Sequence, residues 1–74
     1  GDSFHKSGEV LKILYPKGVK TENFTDLLAV TRVLDKLFRL ATDPTYGSES
    51  PWRDIAGYAL LRLHDTVNTT GDIE

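Results

Sequence analysis

Hydrophobic residues recur at helical spacing in three separate stretches of the chain. A repeat of three to four residues, rather than two, predicts α-helices and not β-strands. The predicted helices cover about residues 3–15, 24–41 and 51–67, and a polar tail follows over residues 68–74. We therefore expect an all-α fold, a small three-helix domain that comprises residues 1–74.

Residues that start or stop helices support these boundaries. Pro16 and Gly18 follow the first predicted helix and are expected to end it. Asn23 precedes the second helix and is a favoured N-cap residue. Ser50 is a second expected N-cap, and Pro51 occupies the first helical position, where its missing N–H costs nothing. Residues 43–50 are expected to form a solvent-facing loop.

The second helix is hydrophobic around more than half of its circumference, at about 100° per residue. Leu34 lies near the middle of this arc. A chain of 74 residues buries only roughly 60–65% of the surface that its unfolded form exposes, so its own core is marginal. We therefore expect the helices to pack into a homo-oligomer or against a partner. The arc comprises Phe24, Leu27, Leu28, Val30, Thr31, Val33, Leu34, Leu37, Phe38 and Ala41.

The third helix carries two stripes. The predicted core face comprises Trp52, Ile55, Ala56, Ala59, Leu60, Leu63 and Val67. The opposite stripe comprises Asp54, Tyr58, Leu61 and Asp65. A three-helix core does not need the second stripe, so Tyr58 and Asp65 are candidates for a ligand or an interface. Trp52 is either a lid on the core or a surface on which a ligand stacks.

Composition narrows the function classes. The absence of cysteine excludes disulfides and thiolate metal sites and fits a reducing compartment. The net charge of −2 comes without a run of basic residues, so no nucleic-acid or polybasic membrane-binding patch is indicated. No apolar run approaches the ~20 residues of a membrane span, and no signal-peptide pattern opens the chain. We expect a cytoplasmic location.

Two aspartates are candidate metal ligands. Asp35 lies at the edge of the apolar arc, where a carboxylate is costly unless it is paired or binds a cation. Asp54 lies in the first turn of the third helix. On adjacent antiparallel helices the two could share Mg²⁺, which prefers oxygen ligands and phosphate. Alternatively, Asp35 pairs with Arg39 at i, i+4, and Asp54 stabilises the N-terminus of its own helix.

Lys36 and Arg39 are candidate phosphate-binding cations. Together with Arg32 they follow the polar stripe of the second helix. The alternative is that this stripe is merely the solvated side of the helix. His5 and His64 have no histidine or cysteine partner at metal-binding spacing.

Three segments resemble the small phage and bacterial "nucleotide modification associated" domains, from Gly1 to about Leu63. In that family a tyrosine-glycine-aspartate segment opens the domain, an aspartate-lysine-x-x-arginine helix follows, and an aspartate-x-x-x-tyrosine helix closes it. The matching segments are Gly1-Asp2-Ser3-Phe4, Asp35-Lys36-Leu37-Phe38-Arg39-Leu40 and Pro51-Trp52-Arg53-Asp54-Ile55-Ala56-Gly57-Tyr58-Ala59-Leu60-Leu61. If the resemblance holds, the sequence is expected to begin within the family's opening motif.

The family is similar in character to the all-α nucleoside triphosphate pyrophosphohydrolases of MazG type. The resemblance therefore implies phage-linked nucleotide metabolism, with Mg²⁺-dependent nucleotide binding or pyrophosphohydrolysis. Asp35 and Asp54 would then bind the metal, and Lys36 and Arg39 the phosphates. The chain lacks the E-x-x-E and E-x-x-D pairs of the MazG pattern. The alternative is a non-catalytic phage interaction module that binds a host protein or a second copy of itself.

Overall fold

The fold consists of three α-helices, as the hydrophobic spacing predicts. In the computed structural model, residues 2–43 and 49–73 are described, with side chains of the last helix described to residue 66. Helix α1 spans Ser3–Leu14, α2 spans Phe24–Thr42 and α3 spans Pro51–Ile73, and a 3₁₀ turn at Thr21–Asn23 leads into α2. These described residues contain no strand, which confirms the all-α fold class. Within them, no helix combines the length and the hydropathy that crossing a bilayer requires.

The first connection forms much as the sequence predicts. Helix α1 ends one residue earlier than expected, and the Tyr15 N–H donates to the Leu11 carbonyl. Gly18 has a φ of 88°, a left-handed conformation that favours glycine. Asn23 occupies the N-cap position of α2, but its side chain makes no capping hydrogen bond. The 3₁₀ turn already brings the Asn23 N–H to the Lys20 carbonyl and carries the chain into the helix.

Helix α3 begins at the predicted residue but extends further than predicted. Ser50 Oγ accepts a hydrogen bond of 3.2 Å from the Trp52 N–H, as expected of an N-cap. The prediction that the helix ends at residue 67 and leaves a polar tail is wrong, because the helix continues to Ile73. Asn68, Thr69 and Thr70 each lower helix propensity by only tenths of a kcal/mol, Gly71 lowers it by about 1 kcal/mol, and no proline interrupts the segment. The side chain of Val67, like loop residues 44–48, lies outside the described residues.

Helix α2 lies between the other two helices. It contacts α1 on one side and α3 on the other, and the described parts of α1 and α3 do not contact each other. Lys36, in the second half of α2, pairs with Asp54 near the start of α3. Asp26, at the start of α2, pairs with Arg62 further along α3. The two pairs show that α2 and α3 are antiparallel.

The three helices form a single layer. The molecule measures 44 × 32 × 12 Å. The axes of packed helices stand 8–10 Å apart, so a thickness of 12 Å leaves no room for two stacked layers. The radius of gyration is 14.4 Å, whereas a compact domain of this length has about 11 Å. The chain therefore does not enclose a core between layers of its own.

Burial is correspondingly slight. Leu34 is the one hydrophobic core residue among the described side chains, at 8% exposure, in agreement with its position near the middle of the apolar arc. Pro51 is also fully buried, at the start of α3. The large hydrophobic residues left 42% to 84% exposed are Phe4, Ile13, Leu14, Phe24, Leu28, Leu37, Trp52, Leu60, Leu61 and Leu63.

The rotation of α3 differs from the prediction. Trp52, Leu60 and Leu63 were expected to face the core, and each is more than half exposed. Ala56 and Ala59 are exposed too. In their place, Asp54 and Arg62 turn towards α2 because both form ion pairs with it. The prediction was wrong because it assumed a bundle with neighbours on two sides of α3, whereas in this single layer α2 is the one described helix that α3 contacts.

Candidate functional site

The two broad surfaces of the helical layer differ in chemistry. On α2, the Lys36 side chain is turned towards α3, and the side chains of Thr31 and Phe38 are turned towards α1. At 100° per residue, the other α2 positions divide between the two surfaces of the layer, and Lys36 lies at the edge of one of them. The same reasoning applies to α3, where Pro51, Tyr58 and Arg62 are turned towards α2.

One surface, here called the polar face, carries most of the predicted site residues. It comprises Thr25, Leu28, Arg32, Asp35, Lys36 and Arg39 of α2 with Asp54, Tyr58, Leu61 and Asp65 of α3. The other surface, here called the apolar face, comprises Val10 and Leu14 of α1, Val30, Leu34, Leu37 and Ala41 of α2, and Trp52, Ile55, Ala59 and Leu63 of α3. None of the ten residues on the apolar face is charged.

Three predicted site residues meet on the polar face. The ammonium Nζ of Lys36 lies 3.3 Å from Asp54 Oδ2 and 3.8 Å from Asp35 Oδ2. Lys36 is only 20% exposed, whereas Asp54 and Asp35 are 44% and 67% exposed. A largely buried lysine thus places its charge between the two carboxylates that the sequence proposes as metal ligands.

This arrangement differs from the structural pairing that the sequence suggests for the two aspartates. Asp35 pairs with its neighbour Lys36, and no pair with Arg39 forms in the described part of the chain. The predicted Asp35–Arg39 pair is therefore wrong in this structure. Asp54 lies in the first turn of α3, but its ionic contact is to Lys36 of α2 and so links two helices.

The same geometry affects whether Asp35 and Asp54 can share Mg²⁺. Asp35 and Asp54 supply carboxylate oxygens, the donor type that Mg²⁺ prefers. Within the described segments, however, no group of three or more acidic or histidine side chains converges as a metal site. The ammonium of Lys36 already balances part of the charge of the two carboxylates, and a shared Mg²⁺ would have to displace it. The residues therefore fit Mg²⁺ only if Lys36 moves away.

A second ionic cluster, centred on Arg62, was not anticipated from the sequence. Arg62 Nε donates to Asp26 Oδ1 at 2.8 Å, and Arg62 Nη1 donates to Asp65 Oδ2 at 2.8 Å. The guanidinium is 26% exposed. The i, i+3 spacing of Arg62 and Asp65 was a usable signal. Predicting the contact with Asp26 would require the register of α3 against α2, which the sequence does not specify.

A shallow groove crosses the polar face beside this cluster. It has a volume of about 330 Å³, and Tyr58 and Leu61 of α3 face Leu28 and Arg32 of α2 across it. Tyr58 and Asp65 both line it, so these two predicted ligand or interface residues are brought together. Trp52, predicted with them, lies on the apolar face instead.

Two arginines on the polar face remain available to an anion. Arg32 and Arg39 are exposed, and neither forms an ion pair with another described residue. Arg39, predicted as a phosphate-binding cation, therefore keeps its guanidinium accessible, whereas Lys36 is held by two carboxylates.

Comparisons of the chain with protein-family models, with curated proteins and with solved structures give no significant match. The resemblance to nucleotide modification associated domains stays a prediction.

Proposed function

We propose that this chain is a protein-interaction domain that completes its fold by docking the apolar face against other helices. The single observation behind the proposal is the combination of a layer 12 Å thick with large hydrophobic side chains exposed on it. Stable domains bury hydrophobic helix faces between at least two packed layers. A second layer from outside the chain would supply the missing half.

The accessible surface supports the same proposal. It amounts to 5984 Å², compared with about 4,600 Å² for a compact monomer of 8.3 kDa. The excess of about 1,400 Å² exceeds the ~800 Å² that each partner contributes to a standard protein interface. Monomeric proteins rarely expose contiguous apolar patches of more than a few hundred Å². An interaction surface accounts for this excess.

The test measures whether apolar surface is available and whether it becomes covered. A fluorescent dye that binds exposed hydrophobic surface, such as ANS, is titrated into the protein while sedimentation velocity follows its size. We expect either association or strong dye binding by a helical monomer. A helical monomer that binds no dye and shows no association would contradict the proposal.

Nucleotide binding is the second candidate function. The observation that favours it is the position of Arg39 and Arg32, which are exposed beside the Lys36 cluster on the polar face and form no ion pair with another described residue. On this proposal the arginines bind phosphate, and Asp35 and Asp54 bind Mg²⁺ after releasing Lys36. Pyrophosphohydrolysis would be the reaction that the resemblance implies. The two candidates use opposite faces, so they are tested separately and one does not exclude the other.

A further inference from the structure

We propose that the occupant of the apolar face is a second copy of this chain, joined face to face in a symmetric dimer of two helical layers. The inference rests on the proposed interaction function and names its partner. In such a dimer the same surface of each copy meets the other around a two-fold axis. Leu37 of α2 and Leu63 of α3 become buried between the layers, and six helices enclose one core.

Size supports a second copy as the occupant. The layer measures 44 × 32 Å, a footprint of about 1,400 Å², and a standard interface needs about 800 Å² from each partner. One copy therefore offers enough surface for a stable dimer without help from a third chain. Leu34 is the only described hydrophobic residue that one copy buries in its core. A second layer would give the two chains together the two-layer architecture that stable domains have.

Charge supports it as well. In a face-to-face homodimer, a charged residue that lies on the two-fold axis meets its own copy, and like charges repel. The ten residues of the apolar face carry no charge, and the charged residues at its edges, Lys6 and Asp26, already pair with Asp2 and Arg62. The opposite surface behaves differently, because Arg32, Arg39 and the two aspartates of the Lys36 cluster lie there. Self-association through the polar face would bury these charged side chains, which is costly unless each is paired.

Small side chains beside the large ones allow two layers to approach closely. Ala41, one turn from Leu37 in α2, and Ala59, one turn from Leu63 in α3, are both exposed on the apolar face. Alternation of large and small residues lets facing helices interdigitate. Trp52 is the one tryptophan of the chain and is 58% exposed, so dimerisation should bury it.

The first experiment compares glutamate substitutions on the two faces. L37E and L63E place a carboxylate on the apolar face, and L28E and L61E are matched controls at exposed leucines of the polar face. We expect sedimentation equilibrium to show a dimer for the parent and the controls. The apolar-face variants should weaken the dimer about a hundredfold or more, because an unpaired charge would be buried. If the polar-face variants dissociate the dimer and the apolar-face variants do not, the inference is overturned.

Two further readouts do not depend on those variants folding. Trp52 fluorescence of the parent should shift to longer wavelength on dilution through the dissociation range. Since the chain lacks cysteine, A59C carries a single thiol on the apolar face, and T25C carries one on the polar face. A short bismaleimide should cross-link A59C into dimers in high yield and T25C at background. Equal yields for the two would overturn the inference, even where L37E or L63E unfolds.

These outcomes separate this inference from the proposed function. A helical monomer with strong dye binding overturns the second copy and leaves the interaction domain standing. A helical monomer without dye binding overturns both. A dimer that depends on Leu37 and Leu63 and cross-links through A59C supports both.

Discussion

Lys36 of α2 and Asp54 of α3 form an ion pair, 3.3 Å between Nζ and Oδ2, towards one end of the antiparallel helix pair. Towards the other end, Arg62 Nε lies 2.8 Å from Asp26 Oδ1. Asp26 and Lys36 are separated by nearly three helical turns. The two pairs therefore fix both the register of α3 against α2 and its rotation about its own axis. This rotation exposes Trp52 and Leu63 on the apolar face.

Arg62 is expected to contribute measurably to stability. R62Q removes the guanidinium that bonds to both Asp26 and Asp65. It should lower the free energy of unfolding by roughly 0.5–1.5 kcal/mol, a modest value because both carboxylates are more than half exposed. Urea denaturation followed by circular dichroism measures it. The control is R53Q on the same helix, an exposed arginine without an ion pair to a described residue, which should change stability by under about 0.5 kcal/mol. Equal losses in both variants would contradict a role for the cluster.

Leu34→Ala should be severely destabilising. Leu34 is 8% exposed where α2 meets its neighbours, and truncating a buried leucine costs about 2–5 kcal/mol. Small domains hold only about 5–15 kcal/mol in total, so the variant should melt far below the parent. The control is Leu60→Ala, at a position 64% exposed on the outer side of α3, which should lose little. A Leu34→Ala variant that melts within a degree or two of the parent would show that α2 is rotated differently.

The helices could be predicted from local signals. Ser50 and Pro51 gave the start of α3, and the centre of the hydrophobic arc gave Leu34 as the core residue. These features depend on residues close together in the chain, so sequence spacing is enough to find them.

The orientation of α3 and most of the site geometry could not be predicted in this way. The rotation of α3 depends on ion pairs between residues far apart in sequence, such as Asp26 and Arg62. Lys36 was expected to bind phosphate, and its contact with Asp54 depends on the helix register. A single layer with one apolar and one polar face also produces hydrophobic patterns on several sides of a helix, which resembles the pattern of a bundle core.

The N-cap of α3 gives a third prediction. Ser50→Ala removes the hydroxyl that accepts the Trp52 N–H, and loss of an N-cap costs about 0.5–2 kcal/mol. The matched control is Asn23→Ala at the N-cap position of α2, where the side chain makes no capping hydrogen bond. This control should be nearly neutral. Thermal melts of the two variants measure the difference, and a larger loss for Asn23→Ala would show that α2 is capped differently in solution.

The fourth prediction concerns Asp54 and separates an ionic contact between helices from a metal site. Two carboxylates that share Mg²⁺ repel each other when the metal is absent, so D54N would then leave the metal-free protein unchanged or more stable. With Lys36 between them, D54N should instead lower stability by up to about 1 kcal/mol, since Asp54 is 44% exposed and solvent weakens the pair. The loss should be the same with and without Mg²⁺.

Melting curves of the parent, D54N and D35N, each with and without Mg²⁺ and a nucleoside triphosphate, decide the question. Asp35 is more exposed than Asp54 and its contact with Lys36 is longer, 3.8 Å against 3.3 Å, so D35N should lose less stability than D54N.

A nucleotide at about 100 times its dissociation constant would raise stability by ~2.7 kcal/mol, which is readily measured. If Mg²⁺ and nucleotide together stabilise the parent by that amount, and both aspartate variants lose the response, the polar face is a nucleotide site. The ionic contact of Lys36 would then be a feature of the ligand-free state, broken when the metal binds. E22Q, an exposed acidic position away from the Lys36 cluster, should respond as the parent does in either case.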